Sequence, residues 1–235
     1  MHSKARLGAI RYRLEQSGLR RSIRHGFLRA GQHASPPVLA NLRVMIGYVE
    51  LGAWLGVPEV FQSKNDLFAE AVRRACGRVL YLEFGVYRGE SLRWWSEHLR
   101  DPQARLVGFD SFEGLPEPWQ PGLEAGKFRV PCIPAIDDAR VSFEVGWFDR
   151  TLQIFVPPPH NQLIINVDCD LYSSTDTVLQ WAEPHIRPGT LIYFDELPDR
   201  NHELLALREH LARSGHEIEP LGIAGGGLHW LFRYR

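Results

Sequence analysis

Short apolar runs alternate with segments of helical periodicity from residue 78 to the end of the chain, and this alternation restricts the fold more than any other feature. Helical segments of about ten to fifteen residues between strands are typical of βαβ units, in which the strands run parallel and helices cover both faces. We therefore predict an α/β fold with a mostly parallel sheet. The predicted strands are Arg78–Phe84, Arg105–Asp110, Arg140–Gly146, Gln162–Val167, Thr190–Phe194, Glu217–Ile223 and Leu228–Tyr234.

The last two predicted strands flank the glycine run 225–227, which indicates a tight turn and an antiparallel strand at the end of the sheet. The complete prediction is a doubly wound, Rossmann-like sheet of seven strands. Helices are expected at about Gly89–Leu99, Ser174–His185 and His202–Ser214. In sheets of this kind, ligands bind at the carboxyl ends of the strands, so the chemistry is expected there.

The residues before the first strand are predicted to be helical. A basic helical segment covers 5–29, a Ser-Pro-Pro linker covers Gly31–Pro37, and helices follow at about Val38–Leu55 and Asn65–Cys76. This gives two predicted regions, an N-terminal helical arm and cap at 1–77 and the α/β domain at 78–235.

The charge is distributed unevenly along the chain. The net charge is −1, but residues 1–30 hold eight basic residues and one acidic residue, and the remaining 205 hold 19 basic and 27 acidic residues. The charge outside the arm is therefore negative, which excludes a nucleic-acid partner for the α/β domain. The basic arm is interpreted as a solvated helical face. Contact with a second subunit in a homo-oligomer, an anionic membrane surface or a phosphorylated acceptor remains the alternative.

Cysteine use and hydropathy indicate the compartment. Cys76, Cys132 and Cys169 show no CxxC spacing, which argues against a disulfide framework and is typical of a reducing compartment. No apolar run reaches about 18 residues, so no transmembrane segment is expected. The basic N-terminus lacks the apolar stretch of a signal peptide, and we predict a cytoplasmic location.

The turn after the first strand has the features of a nucleoside site. Gly85 and Gly89 flank the turn into the next helix, where a backbone free of side chains lets a ligand approach closely. Tyr87 occupies the position of the middle glycine of a dinucleotide motif and would crowd a pyrophosphate. Ser91 offers a hydroxyl at the helix start, and Asp110 ends the next strand, where an acid accepts hydrogen bonds from a ribose diol.

Four acids follow the fourth and fifth predicted strands: Asp168, Asp170, Asp195 and Glu196. If these strands are neighbours, the carboxylates converge at one edge, which is costly without a cation or a proton. Oxygen ligands favour Mg²⁺, which could lower the pKa of a bound hydroxyl while a carboxylate removes its proton. Helix capping is the alternative, by Asp170 for the helix near Ser174 and by Asp195 or Asp199 for the helix at 202–214.

At these positions the sequence resembles the macrocin/mycinamicin family of S-adenosylmethionine-dependent O-methyltransferases over residues 78–196. The motifs that carry the resemblance are Leu82–Gly89, Gly108–Pro116, Gly146–Phe148 and Asp168–Thr175. The resemblance implies methylation of hydroxyls on sugars of antibiotics and related metabolites, often with Mg²⁺. The expected partner is a small-molecule or glycan acceptor.

The resemblance also implies residue roles. Asp170 would be the general base. The residues expected around S-adenosylmethionine are Glu83, Gly85, Tyr87 and Ser91 at the methionine end, Asp110 and Ser111 at the ribose, Trp147 and Phe148 at the adenine, and in addition Val86, Gly89 and Asp168. The expected metal ligands are Asp168, Asp195 and Glu196, with Glu196 standing where the family usually has Asp.

Two other functions fit part of the pattern. An Asp-x-Asp after an apolar strand also serves metal-dependent glycosyltransferases that hold a nucleotide-sugar, although that class does not need the Gly85 turn and Asp110. A non-catalytic relic of the methyltransferase fold is the third possibility. The segment Glu113–Pro134 is long enough either to cover a substrate or to be a surface loop anchored by Trp119.

Overall fold

The computed structural model describes residues 36–235, and their side chains from residue 42 onward. Seven strands form one sheet in the order β3-β2-β1-β4-β5-β7-β6, in which only β7 runs antiparallel to its neighbours. The predicted fold class is thereby confirmed. The strands are β1 Val79–Phe84, β2 Arg105–Asp110, β3 Val141–Val145, β4 Gln162–Val167, β5 Leu191–Phe194, β6 Ile218–Ala224 and β7 His229–Tyr234.

Helices cover both faces of this sheet. One face packs against α2 and α3 through Phe68 and Trp95, and the other packs against α1, α4, α5 and α6. The sheet is buried between them because apolar side chains of β1 alternate, with Tyr81 on the first face and Leu82 on the second. The helices are α1 Pro36–Leu55, α2 Lys64–Arg74, α3 Glu90–His98, α4 Phe148–Ile154, α5 Tyr172–Ala182 and α6 Glu203–Ser214.

Element boundaries differ from the sequence predictions by a few residues. The helix predicted to reach His185 ends as an α-helix at Ala182 and continues as a 3₁₀ turn at Glu183–His185, where Pro184 removes a backbone donor. The helix predicted from Val38 begins at Pro36, a residue type that the first helical turn tolerates well.

The N-terminal predictions fall mostly outside the described residues. The basic segment at 5–29 and most of the linker lie before residue 36. Residues Arg43–Arg235 form one compact unit, and Leu51 of α1 is fully buried in its core. The boundary at 77/78 and the role of the arm stay predictions. No helix among residues 36–235 is long and apolar enough to cross a membrane.

A buried histidine in α6 makes the fold sensitive to acid. The His210 side chain is fully buried, with Nε2 3.2 Å from the Tyr234 hydroxyl and Nδ1 3.6 Å from Glu183. Arg213, His216 and Asp176 also face the ring. Burial lowers the pKa of His210 to about 4, from an ordinary value of 6.5. Between pH 6.5 and about 4, His210 is protonated in the unfolded chain but neutral in the folded chain. The contribution of His210 to the free energy of unfolding is therefore fully present above pH 6.5 and is lost as the pH drops toward 4.

We expect protonation of His210 to lower the unfolding free energy of the wild-type protein by about 2–3 kcal/mol when the pH falls from 7 to 4.5. His210→Gln keeps a hydrogen-bonding amide but cannot titrate, so its stability should fall less over the same range. Urea unfolding at the two pH values measures the difference. His98→Gln, at an exposed position, is the matched control and should follow the wild type. An equal loss in His210→Gln and wild type would contradict the assignment.

Candidate active site

A cavity of about 740 Å³ opens at the carboxyl ends of β1, β2, β4 and β5. Strands β4 and β5 are neighbours, with Val167 paired to Phe194, so the acids that follow them lie at the same edge as the Gly85 turn. Ten of the predicted site residues line this cavity: Gly85, Tyr87, Asp110, Ser111, Trp147, Phe148, Asp168, Asp170, Asp195 and Glu196.

The turn after β1 approaches β4 so closely that only glycine fits at its first position. Gly85 has a left-handed φ of 93°, and an added Cβ would lie 1.7 Å from the Asp168 carbonyl oxygen. The Gly85 N–H donates to the Phe109 carbonyl of β2. Gly85 therefore allows the carboxyl ends of β1, β2 and β4 to lie in close contact, and it leaves backbone without a side chain at the cavity wall.

Asp110, at the end of β2, holds that turn in shape. Its Oδ2 accepts hydrogen bonds from the Val86 and Tyr87 N–H groups, both at 2.8 Å, and its Oδ1 accepts one from the Phe112 N–H at 2.7 Å. The carboxylate is also at the cavity wall. Asp110 therefore orders the backbone of the site in addition to the ribose contact expected from the sequence.

Asp110→Asn should weaken cofactor binding by about 10–100-fold, because bonds to a carboxylate contribute about 1.5–3 kcal/mol and an amide nitrogen would face a backbone donor. Titration calorimetry with S-adenosylhomocysteine measures the affinity. Asp138→Asn, which breaks a carboxylate–Arg140 pair away from the cavity, is the control for general destabilisation. An unchanged affinity in Asp110→Asn would refute this role.

Four predicted cofactor residues do not line the cavity. Val86 is buried in the apolar layer under α3, and Gly89 is the left-handed N-cap of that helix. Ser91 is buried in the first turn of α3. Glu83 is 1% exposed and accepts a 2.5 Å hydrogen bond from the Tyr81 hydroxyl, and burial raises its pKa to about 8. These residues support the cavity wall from behind, and their contact with a cofactor stays a prediction.

The acids Asp168, Asp170, Asp195 and Glu196 line the cavity, and the structure shows none of the helix caps that the sequence allowed. Asp170 has a left-handed φ of 62°, and the N-cap of α5 is Leu171, with no side-chain cap. His202 is the N-cap of α6, likewise without a side-chain cap, while Asp199 Oδ1 accepts from the Asn201 N–H just before it. The capping explanation therefore fails for Asp170 and Asp195, which leaves their carboxylates directed to other contacts.

Burial and mutual repulsion make these carboxylates unusually basic. Burial, followed by repulsion from Glu196 and Asp195, raises the pKa of Asp170 to about 7, and burial also raises the pKa of Glu196 to about 7. The pKa of Asp168 is raised well above its usual range, first by burial and then by Asp195 and Asp170. A carboxyl with a pKa near 7 is matched to proton transfer at neutral pH.

Asp195 differs from the other acids because it has partners. Its Oδ1 accepts a hydrogen bond from the Tyr193 hydroxyl at 2.7 Å and lies 3.2 Å from His229 Nδ1. Burial alone would raise the pKa of Asp195, but the His229 and Tyr193 contacts hold it below its usual value. For His229 burial opposes the charge, and the bonds to Asp195 still raise its pKa. This pairing carries no sequence signal, because β7 brings His229 back from 34 residues away.

These acids have the kind of side chain that binds Mg²⁺, but they are not arranged as a metal site. Their donors are hard oxygens, the ligands that Mg²⁺ prefers. Across the part of the chain that the structure describes, however, no three His, Cys, Asp or Glu side chains converge as a ready-made metal site. The residues as placed do not form a three-carboxylate site, and their role as the three metal ligands stays a prediction.

Several lining residues were not assigned a role from sequence. Ser173 lies in the serine pair that follows Asp170, and Asp149 and Arg150 carry no recognisable signal. Trp119 lies on the long segment between β2 and β3. From the sequence, this segment could either cover a substrate or form a surface loop. The unassigned side chains at the wall are Leu115, Pro116, Trp119, Phe128, Asp149, Arg150, Cys169, Ser173, Ser174 and Thr177.

The fold is shared with solved methyltransferases. The calicheamicin methyltransferase CalS11 superposes with a TM-score of 0.58 at 24% identity, over 72% of this chain and 77% of its own. The O-methyltransferase NovP superposes with a TM-score of 0.55 at 18% identity, over 85% of this chain and 99% of its own.

The sequence relatives agree with the fold. Residues 82–197 match the family described as a methyltransferase domain. An 8-demethyl-8-(2,3-dimethoxy-α-L-rhamnosyl)-tetracenomycin-C 4'-O-methyltransferase of Streptomyces olivaceus is 28% identical over 63% of this chain. This chain covers 64% of the length of that relative. These matches identify residues 82–197 as a methyltransferase domain and bear out the O-methyltransferase family predicted from the motifs, that of the macrocin and mycinamicin enzymes.

Proposed function

We propose that the protein transfers a methyl group from S-adenosylmethionine to a hydroxyl of a sugar or a glycosylated metabolite. The observation that carries this proposal is that the Gly85 turn, Asp110 and Asp170 all line one cavity. A nucleoside cofactor bound at the Gly85 turn and a group that accepts a proton would then share one space, as a two-substrate transfer requires.

The cofactor end of the cavity suits a nucleoside with an amino-acid tail. Gly85 contributes bare backbone, Asp110 a carboxylate for the ribose, and Trp147 and Phe148 apolar surface for the adenine. When bound, S-adenosylmethionine supplies a sulfonium methyl, whose S–C bond breaks as the C–O bond forms, leaving a neutral thioether.

Asp170 would accept the proton of the attacking hydroxyl. Removal of that proton as the C–O bond forms leaves a neutral ether, so charge and atoms balance. Burial raises the pKa of Asp170 to about 7, which makes it a stronger base than an exposed carboxylate while keeping a large ionised fraction at neutral pH. Its left-handed backbone presents the side chain at the cavity wall rather than to the start of α5.

A deoxysugar is the acceptor that we propose first. The name of the Streptomyces olivaceus relative specifies methylation on a rhamnosyl group. We further propose that Asp168, Asp195 and Glu196 would hold Mg²⁺ during the transfer, although they would have to draw closer together than they lie here. The effect of chelation tests this: loss of activity with EDTA and recovery with Mg²⁺ would support the metal, and full activity in EDTA would remove it.

The decisive experiment measures binding and transfer separately. Titration calorimetry with S-adenosylmethionine should show one site per chain, and a panel of rhamnosides and glycosylated polyketides should yield a product heavier by one methylene. Binding of a UDP-sugar without S-adenosylmethionine would instead support the glycosyltransferase alternative, which no feature of the site favours. Cofactor binding without transfer to any acceptor would support a non-catalytic relic.

A further inference from the structure

The segment between β2 and β3 is folded back on itself over the Asp170 side of the cavity. Within this segment, the Leu115 N–H donates to the Lys127 carbonyl and the Gly126 N–H donates to the Leu115 carbonyl. These two bonds close residues 115–127 into a loop. The Ser173 hydroxyl donates to Glu117 at 2.6 Å, which ties the loop to the first turn of α5. The loop is therefore an ordered wall of the cavity.

Trp119 is the main aromatic side chain of that wall. It is only 9% exposed, lines the cavity, and packs with Leu115 and Leu171 in a small apolar cluster separate from the two layers beside the sheet. Its ring is perpendicular to that of His202, with centroids 6.4 Å apart. Its Nε1 is buried and has no hydrogen-bond partner among residues 36–235. A buried donor left unpaired is costly, and bound ligands are one way in which such groups are satisfied.

The contact with Leu171 places the indole next to the proposed base, because Leu171 directly follows Asp170. Trp119 and Asp170 both line the cavity, so an apolar ring and a proton acceptor face the same space. A pyranose has the matching chemistry, since it presents C–H groups on its faces and hydroxyls at its edge. A flat aromatic side chain favours such an apolar face, and the adjacent carboxylate favours a hydroxyl.

We propose that Trp119 determines acceptor specificity by packing its indole against the C–H face of the acceptor's sugar ring, which directs a ring hydroxyl toward Asp170. The proposal rests on the proposed function, because it assumes that a sugar occupies this side of the cavity. It assigns Trp119 to the acceptor alone, with no contact to S-adenosylmethionine.

The test compares Trp119→Leu and Trp119→Phe with the wild type. The acceptor probes are methyl α-L-rhamnopyranoside, methyl α-D-mannopyranoside and methyl β-D-glucopyranoside, with binding followed by saturation-transfer NMR and transfer by mass spectrometry. We expect Trp119→Leu to raise the acceptor KM by about 10–100-fold and Trp119→Phe, which keeps a ring, by about 3–10-fold. The affinity for S-adenosylhomocysteine should stay within about twofold of wild type, since the indole is assigned to the acceptor.

Trp54→Leu is the matched control, because Trp54 is 42% exposed on α1 and does not line the cavity. Its acceptor KM should equal that of the wild type. The inference is overturned if Trp119→Leu keeps the wild-type acceptor KM, or if acceptor and cofactor affinities fall together in Trp119→Phe, the milder variant. In both cases wild-type methylation of a probe would leave the proposed function standing. If the wild-type protein methylates only glycosylated polyketides, the same Trp119 variants are compared on those acceptors; a wild-type protein that methylates neither the glycosides nor the glycosylated polyketides overturns both proposals.

Discussion

Replacing Asp170 by asparagine is expected to reduce the rate constant for methyl transfer by about 10²–10⁴-fold, the range that general base catalysis contributes. The amide has nearly the shape of the carboxyl but cannot accept the hydroxyl proton at neutral pH. Asparagine also tolerates the left-handed backbone at this position, where φ is 62°, better than most residues. The variant should therefore fold and bind cofactor normally, and the loss should appear in kcat.

Single-turnover kinetics with saturating acceptor measure this loss, and calorimetry verifies the cofactor affinity. Asp176→Asn is the matched control, since Asp176 lies on the same helix α5 and does not line the cavity. It should keep the wild-type rate. An Asp170→Asn variant with a rate within a few-fold of wild type would remove Asp170 from the role of base.

Replacing Gly85 by alanine should have the largest effect on the folded state. The methyl group would lie 1.7 Å from the Asp168 carbonyl oxygen, which is backbone and cannot rotate away. Relief requires β1 and β4 to separate at their carboxyl ends, where the cavity opens. We expect a loss of more than about 4 kcal/mol of unfolding free energy, among the largest effects of single substitutions, together with loss of cofactor binding.

Gly122→Ala separates this collision from ordinary glycine effects. Gly122 has a similar left-handed φ of 87°, but an added Cβ meets nothing within 4 Å. Its substitution should cost only the backbone strain of about 1–2 kcal/mol. Chemical unfolding of both variants measures the difference between their unfolding free energies. If Gly85→Ala were no less stable than Gly122→Ala, the close approach of β1 to β4 would not be a determinant of the fold.

Much of the site was predictable because strand periodicity and glycine turns are local properties. The alternation after residue 78 gave the parallel sheet, and the strand-end rule placed Asp110, Asp170 and Asp195 around one cavity. The sequence left capping open for Asp170, since a short acid before a helix serves either purpose. Only the backbone at Asp170, with its positive φ, decided between them.

The sequence by itself determined the seven strands, the glycine turn after β1 and the motifs of the family, because each depends on residues close together in the chain. The tertiary structure decided which acid acquires a partner and which part of the long loop lines the cavity. Asp195 meets His229 because antiparallel pairing sets Phe194 opposite Trp230. Trp119 meets Leu171 because the loop folds back onto α5. Contacts of this kind join distant parts of the chain, so they exist only once the whole sheet has packed.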